Sequence, residues 1–218
     1  MSILIVGAGP GMGGALAHRF ATPQDPVGLV SNNSSVAELL VEGLRADGVD
    51  AHAAITDISD IGGLKDALQG LMAELGEPTV VIYNASTNVS GTPTQVPVDD
   101  FVHGLVVGIT GALVTLQTVA PVMVARGSGT ILFTGSGVSI SPWVEEAGLS
   151  VQKAGLRNLA IAANAELAPK GVYAATVTIM GALARDTVFD PELIADTFYE
   201  VAQRPSDEWL AEIRYTGG

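Results

Sequence analysis

The residues with the clearest chemical use lie near the amino-terminal end, where Gly7-Ala8-Gly9-Pro10-Gly11-Met12-Gly13-Gly14 follows the apolar run Ile3 to Val6. Glycines so placed let a strand turn sharply into a helix and let backbone approach a phosphate, while the first N–H groups of the helix point at the anion. Two spacings fit. Gly9, Gly11 and Gly14 make GxGxxG, whereas Gly7, Gly11 and Gly13 make GxxxGxG starting where the strand stops, and the second is preferred. Both predict a seat for the pyrophosphate of a dinucleotide. In such a site an acid at the end of the second strand takes a ribose 2′-hydroxyl, and an arginine there takes a 2′-phosphate. The chain has Val30-Ser31-Asn32-Asn33-Ser34, with neither. The missing carboxylate and the polar Ser31 and Asn32 lean towards NADP and leave NAD open.

Further along, Ser136 lies in Gly135-Ser136-Gly137 and Lys153 follows on a helical stretch. The serine can donate a hydrogen bond to a substrate oxygen or simply cap its turn. Glu145 and Glu146 stand one helical turn before Leu149. They can serve as a proton source or as a charged first turn favoured by the helix dipole. With no cysteine and with His18, His52 and His103 far apart, neither thiolate chemistry nor a metal centre is expected. Ten Lys plus Arg against 23 Asp plus Glu give a net charge of −13, which disfavours nucleic acid and anionic lipid as partners.

These groups need elements to hold them. Strand and helix alternate along the chain: strands at 3–6, 27–30, 51–55, 79–83, 130–134 and 172–179, and helices at 11–21, 35–47, 61–75, 98–126, 146–168 and 190–203. The tail from Pro205 to Tyr215 reads as irregular, with an edge strand at 211–215. Strands that are continuous apolar runs suit a parallel sheet covered on both faces. The expected fold is α/β, a single doubly wound, Rossmann-like parallel sheet with helices on both faces, in one domain over residues 1–218. Gly104 to Ala125 carries no charge, yet it contains Thr110, Thr115, Gln117, Thr118 and Pro121. It reads as a helix buried between its own sheet and a partner subunit rather than as a membrane span. The first residues lack a basic leader, so a cytoplasmic location is expected.

In this order and spacing the chain resembles the short-chain dehydrogenase/reductase family over essentially its whole length. The resemblance rests on Gly7, Gly11 and Gly13; on Asp57 in Ile55-Thr56-Asp57-Ile58; on Tyr83-Asn84-Ala85-Ser86 beside the family's Asn-Asn-Ala-Gly; and on Ser136 with Lys153 seventeen positions later. It implies a nicotinamide dinucleotide held by Gly7, Gly9, Gly11, Met12, Gly13, Ser31, Asn32, Asp57, Ile58, Asn84, Ala85, Lys153 and Gly181. It implies catalytic roles for Ser136 and Lys153, a small-molecule substrate, and a homodimer or homotetramer paired through the helices at 98–126 and 146–168. Two positions depart: Leu149 stands where the family has its tyrosine, four residues before the lysine, and Gly108 where it has an asparagine. Met180-Gly181 replaces Pro-Gly, and the family's downstream threonine falls near Arg185.

The tyrosine is the family's general acid, and leucine has no exchangeable proton. Three functions therefore remain open: an oxidoreductase whose proton comes from elsewhere, a non-redox enzyme of cyclase or lyase type, and a nucleotide-binding partner without turnover. Leu149→Tyr, alone or with Gly108→Asn, is expected to restore carbonyl reduction.

Overall fold

A computed structural model describes residues 2–217. A seven-stranded sheet runs in the order β3-β2-β1-β4-β5-β6-β7, parallel throughout. Its strands are β1 (Ser2–Val6), β2 (Val27–Ser31), β3 (Ala51–Ile55), β4 (Pro78–Tyr83), β5 (Gly129–Ser136), β6 (Val172–Ile179) and β7 (Glu212–Tyr215). The helices are α1 (Met12–Phe20), α2 (Ser34–Ala46), α3 (Ile61–Leu75), α4 (Val98–Leu105), α5 (Gly111–Arg126), α6 (Ala147–Leu167) and α7 (Pro191–Ala202).

Alternation along each strand divides the core. Leu4, Val6, Tyr83, Ile131 and Phe133 face α3, α5 and α6, while Ile3, Ile5, Leu29, Ile82 and Leu132 face α1, α2 and α7. Strand order reverses between β1 and β4, so the carboxyl ends of these two strands open the crevice where doubly wound sheets bind ligands.

Two details differ from the sequence reading. The long helix is not uniform: a π-helical turn, Val106–Thr110, joins α4 to α5. The buried Tyr83 hydroxyl donates to the Val107 carbonyl inside that turn. Local pattern cannot show this, because the wider turn is matched to a side chain from β4. Second, β3 is not buried on both faces; it is a sheet edge, and Ile55 is half exposed. The edge strand expected at 211–215 is present as β7: after a short 3₁₀ turn at Ser206–Glu208 it pairs in register with β6. Arg157 on α6 fixes it by donating through Nε and a terminal nitrogen to the two Glu212 oxygens, each at 2.7 Å. The stretch Val98–Arg126 is long and apolar enough to cross a membrane, and here it lies against the sheet with Ala112, Leu116, Val119 and Met123 buried.

Candidate active site

The glycine turn resolves its two spacings by packing. Gly7 has φ +89°, and a Cβ there would meet the Ala85 backbone nitrogen at 2.6 Å, so strand-end geometry and neighbour both demand glycine. Gly13, at the start of α1, backs onto the Gly7 carbonyl at a similar distance. Gly9 and Gly11 have no protein atom within 4 Å of a Cβ position. Packing thus requires Gly7 and Gly13, while the open space is at Gly9 and Gly11, beside the N-terminus of α1, which has no side-chain cap. That is the cradle an approaching phosphate needs.

Across the crevice, the Asn84 N–H donates to the Val6 carbonyl at 2.8 Å, and its Nδ2 donates to the Gly7 carbonyl at 3.0 Å. Its Oδ1 accepts from the Thr134 hydroxyl at 2.9 Å. Asn84 therefore ties β1, β4 and β5 together, and it lines two cavities. The outer one, about 310 Å³, is bordered by Gly7, Ala8, Gly9, Ser31, Asn32, Asp57, Ile58 and Ala85. The inner one, about 230 Å³, holds Met12, Ser136, Leu149, Lys153 and Gly181.

Most of the expected residues thus line one or other of two adjoining spaces. Gly13 lines neither and serves packing, and Gly11 opens on a neighbouring groove with Pro10, Arg19 and the exposed Arg185. Sequence reasoning missed Ser86, Thr87, His103 and Val107 on the outer wall and Thr134, Ile179 and Leu183 on the inner one. Ser86 and Thr87 were within reach, since they continue the segment begun by Asn84.

Electrostatics differ between the two spaces. At the outer end Asp57 accepts from the Ser59 N–H and hydroxyl, both at 2.8 Å, which holds its carboxyl below the ordinary value. The Ser31 hydroxyl is engaged with the Asn33 backbone and the exposed Asn33 side chain caps α2, accepting from the Val36 N–H at 3.1 Å, while the exposed Asn32 lines the outer cavity. At the inner end Lys153 is buried, and its Nζ donates to the Thr134 carbonyl at 2.9 Å. Burial pulls its pKa down to about 8.

Ser136 caps the following 3₁₀ turn, accepting from the Val138 N–H at 3.4 Å, and it also lines the inner cavity. The acids do not reach that space. Glu145 is exposed, and Glu146 accepts from the Ser90 hydroxyl at 2.8 Å on the segment facing α6. Neither lines the inner cavity, so the proton-source reading of this pair is withdrawn. Tyr83 offers no replacement: it is fully buried, its hydroxyl is committed to Val107, and burial pushes its pKa up.

The comparisons agree with this geometry. The family model of the short chain dehydrogenases matches residues 1–187. The chain belongs to the short-chain dehydrogenase family. As a short-chain dehydrogenase it is 26% identical over 174 residues to the 2,5-dichloro-2,5-cyclohexadiene-1,4-diol dehydrogenase of Sphingobium indicum, covering 80% of this chain and 70% of that one. A short-chain dehydrogenase from Rhodopseudomonas palustris superposes with TM-score 0.89 at 24% identity, covering 99% and 97% of the two chains. A metagenomic short-chain oxidoreductase in complex with NADP superposes with TM-score 0.87 at 22% identity, covering 99% and 97%.

Proposed function

We propose that this short-chain dehydrogenase is an oxidoreductase that binds NADP(H) in preference to NAD(H) and acts on a small molecule without a tyrosine proton donor. The observation that carries the reading is the inner cavity, where Ser136 and Lys153 stand together with Leu149 at the end of the crevice that starts at the glycine turn. The residues present fit a dinucleotide: open space at Gly9 and Gly11 for the pyrophosphate, Asp57 and Ile58 at the outer end, and a buried amine at the inner end. When bound, the nicotinamide supplies or accepts a hydride.

The chain's own residues do the rest. Gly11 and the first turn of α1 receive the pyrophosphate, and Asn32 stands where a 2′-phosphate would be hydrogen-bonded rather than repelled. Lys153, with one hydrogen on the Thr134 carbonyl, has two more to offer ribose hydroxyls. Ser136 donates to a substrate oxygen and orients it. Leu149 gives nothing to that oxygen except an apolar wall, so carbonyl reduction lacks its proton at the moment the alkoxide forms. Substrates whose proton comes from solvent or from their own structure, such as activated alkenes or iminium ions, suit this site better than ketones. The same leucine favours a second reading, a non-redox enzyme of cyclase or lyase type or a non-catalytic binding partner.

The deciding experiment is calorimetry with NADPH, NADH and their oxidised forms, followed by turnover assays on ketone, enone and iminium substrates. Binding with hydride transfer supports the oxidoreductase, and binding without any transfer supports the second reading. No heat at millimolar concentration rejects the cofactor. A cytoplasmic homodimer or homotetramer built on α4, α5 and α6 completes the proposal, with exposed Val102, Leu113 and Val151 on those helices. Light scattering that returns 22.3 kDa at every concentration rejects the oligomer.

A further inference from the structure

Position 108 is glycine for a reason that lies on another helix. A Cβ there would overlap the Gln152 Cγ and come within 2.6 Å of its Oε1. One turn earlier, a Cβ on Gly104 would stand 3.2 Å from the Gln152 Nε2. The side chain of Gln152, which is completely buried, thus lies along a two-glycine groove on the long helix. From that groove Nε2 reaches Thr87, donating to its hydroxyl at 3.3 Å and its carbonyl at 3.4 Å. Among the described residues its Oε1 has no hydrogen-bond partner. A methionine would fill this groove without leaving a buried acceptor unpaired, so filling space does not account for glutamine. The polar end is directed at the wall of the outer cavity, which Thr87 lines, and the next residue along α6 is Lys153.

We propose that Gln152 is a positioning residue of the candidate site: its carboxamide, delivered from α6 through the room left by Gly104 and Gly108, holds Thr87 and so fixes the wall of the dinucleotide cavity. The consequence for that cavity rests on the function proposed above, whereas the effect on the wall itself does not. Gly108→Asn, expected from sequence to help restore activity, instead collides with Gln152 and needs Gln152→Gly beside it.

The test has one arm without cofactor and one with it. In the cofactor-free protein, hydrogen exchange is followed on peptides covering 84–90 in the wild type and in Gln152→Met. The variant is expected to melt no lower than the wild type while exchange around Thr87 quickens about tenfold. Thr87→Val, which removes the hydroxyl at the other end, is expected to do the same and serves should the methionine variant fail to fold. Unchanged exchange in both overturns the proposal. With cofactor, Gln152→Met should weaken NADPH and NADH about five- to tenfold. Quickened exchange with unchanged affinity overturns the role in the site. Absence of binding by the wild type itself overturns instead the function proposed above, leaving the exchange arm to judge Gln152. Finally, Gly108→Ala should lower the melting temperature in the wild type and lower it much less in a Gln152→Ala background; a Gly108→Ala protein as stable as the wild type removes the groove on which the inference stands.

Discussion

The outer and inner halves of the crevice are built on opposite rules. The outer half is mostly backbone: Gly7 and Gly13 leave no room for a Cβ, which would meet backbone atoms at 2.6 Å, and the space beside the helix end at Gly9 and Gly11 is open. Side chains around it can change and the shape persists. The inner half depends on functional groups placed one by one, and the position expected to carry its proton donor holds Leu149 instead. Under the function proposed above, cofactor recognition resides in backbone geometry, whereas proton transfer to a carbonyl oxygen would rest on one side chain.

The largest effects should break the outer half, and its own glycines should break in different ways. Gly13→Val drives a side chain into the Gly7 carbonyl and should leave no cooperative melting transition. Gly11→Val meets only open space, so circular dichroism should show a native melt while calorimetry shows NADPH binding weakened by about 100-fold or more. A Gly11 variant that binds normally removes the assignment of the cradle.

The next effect is at the inner half. Leu149→Tyr places a phenol in the cavity that already holds Lys153, a neighbouring cation that favours the phenolate. Ketone reduction under saturating cofactor should rise about 100-fold over a near-background wild type. A variant that binds NADPH and gains nothing on any carbonyl rejects the latent reductase site.

Smaller effects are read through pH. Lys153 has its pKa lowered to about 8 in the folded state, so the unfolded chain holds the extra proton between pH 8 and the ordinary lysine value. Stability from this group should therefore rise with pH from about 8 to 10, and Lys153→Met should remove that rise, visible as a difference of about 5 °C in melting temperature across the window. Glu212 has the reverse sign. The Arg157 hydrogen bonds, helped by the Thr178 hydroxyl, hold its pKa at about 2, so its contribution is complete above the ordinary glutamate value and fades as pH falls towards 2. Glu212→Gln should melt a few degrees lower at pH 7, and the gap should close in acid. A gap that persists at pH 2 would mean that packing rather than charge joins β7 to α6.

The same division governs what could be read in advance. Six of the seven strands, the glycine turn and the cluster of Asn84, Ser136 and Lys153 were legible because each leaves a local mark: an apolar run, a glycine spacing, a polar residue at a strand end. The seventh, β7, was placed too, as the edge strand at 211–215 in a tail otherwise read as irregular. The π-turn was not legible, since it depends on a tyrosine from β4. Gly108 was read as a lost asparagine, although its neighbour across the helix interface explains it. Glu146 looked available in sequence because nothing there shows Ser90, 56 residues away, as its partner. Pairings across elements are what a single sequence hides.

The burial of Lys153 gives the crevice a built-in reporter. The sequence contains three lysines, of which Lys65 and Lys170 are exposed. An acylating reagent should mark those two within minutes, whereas the third amine waits for the cleft to breathe. Peptide mass spectrometry of the delayed adduct would then time that opening, and a molecule lodged over the amine would lengthen the delay, so occupants can be screened before any reaction is known.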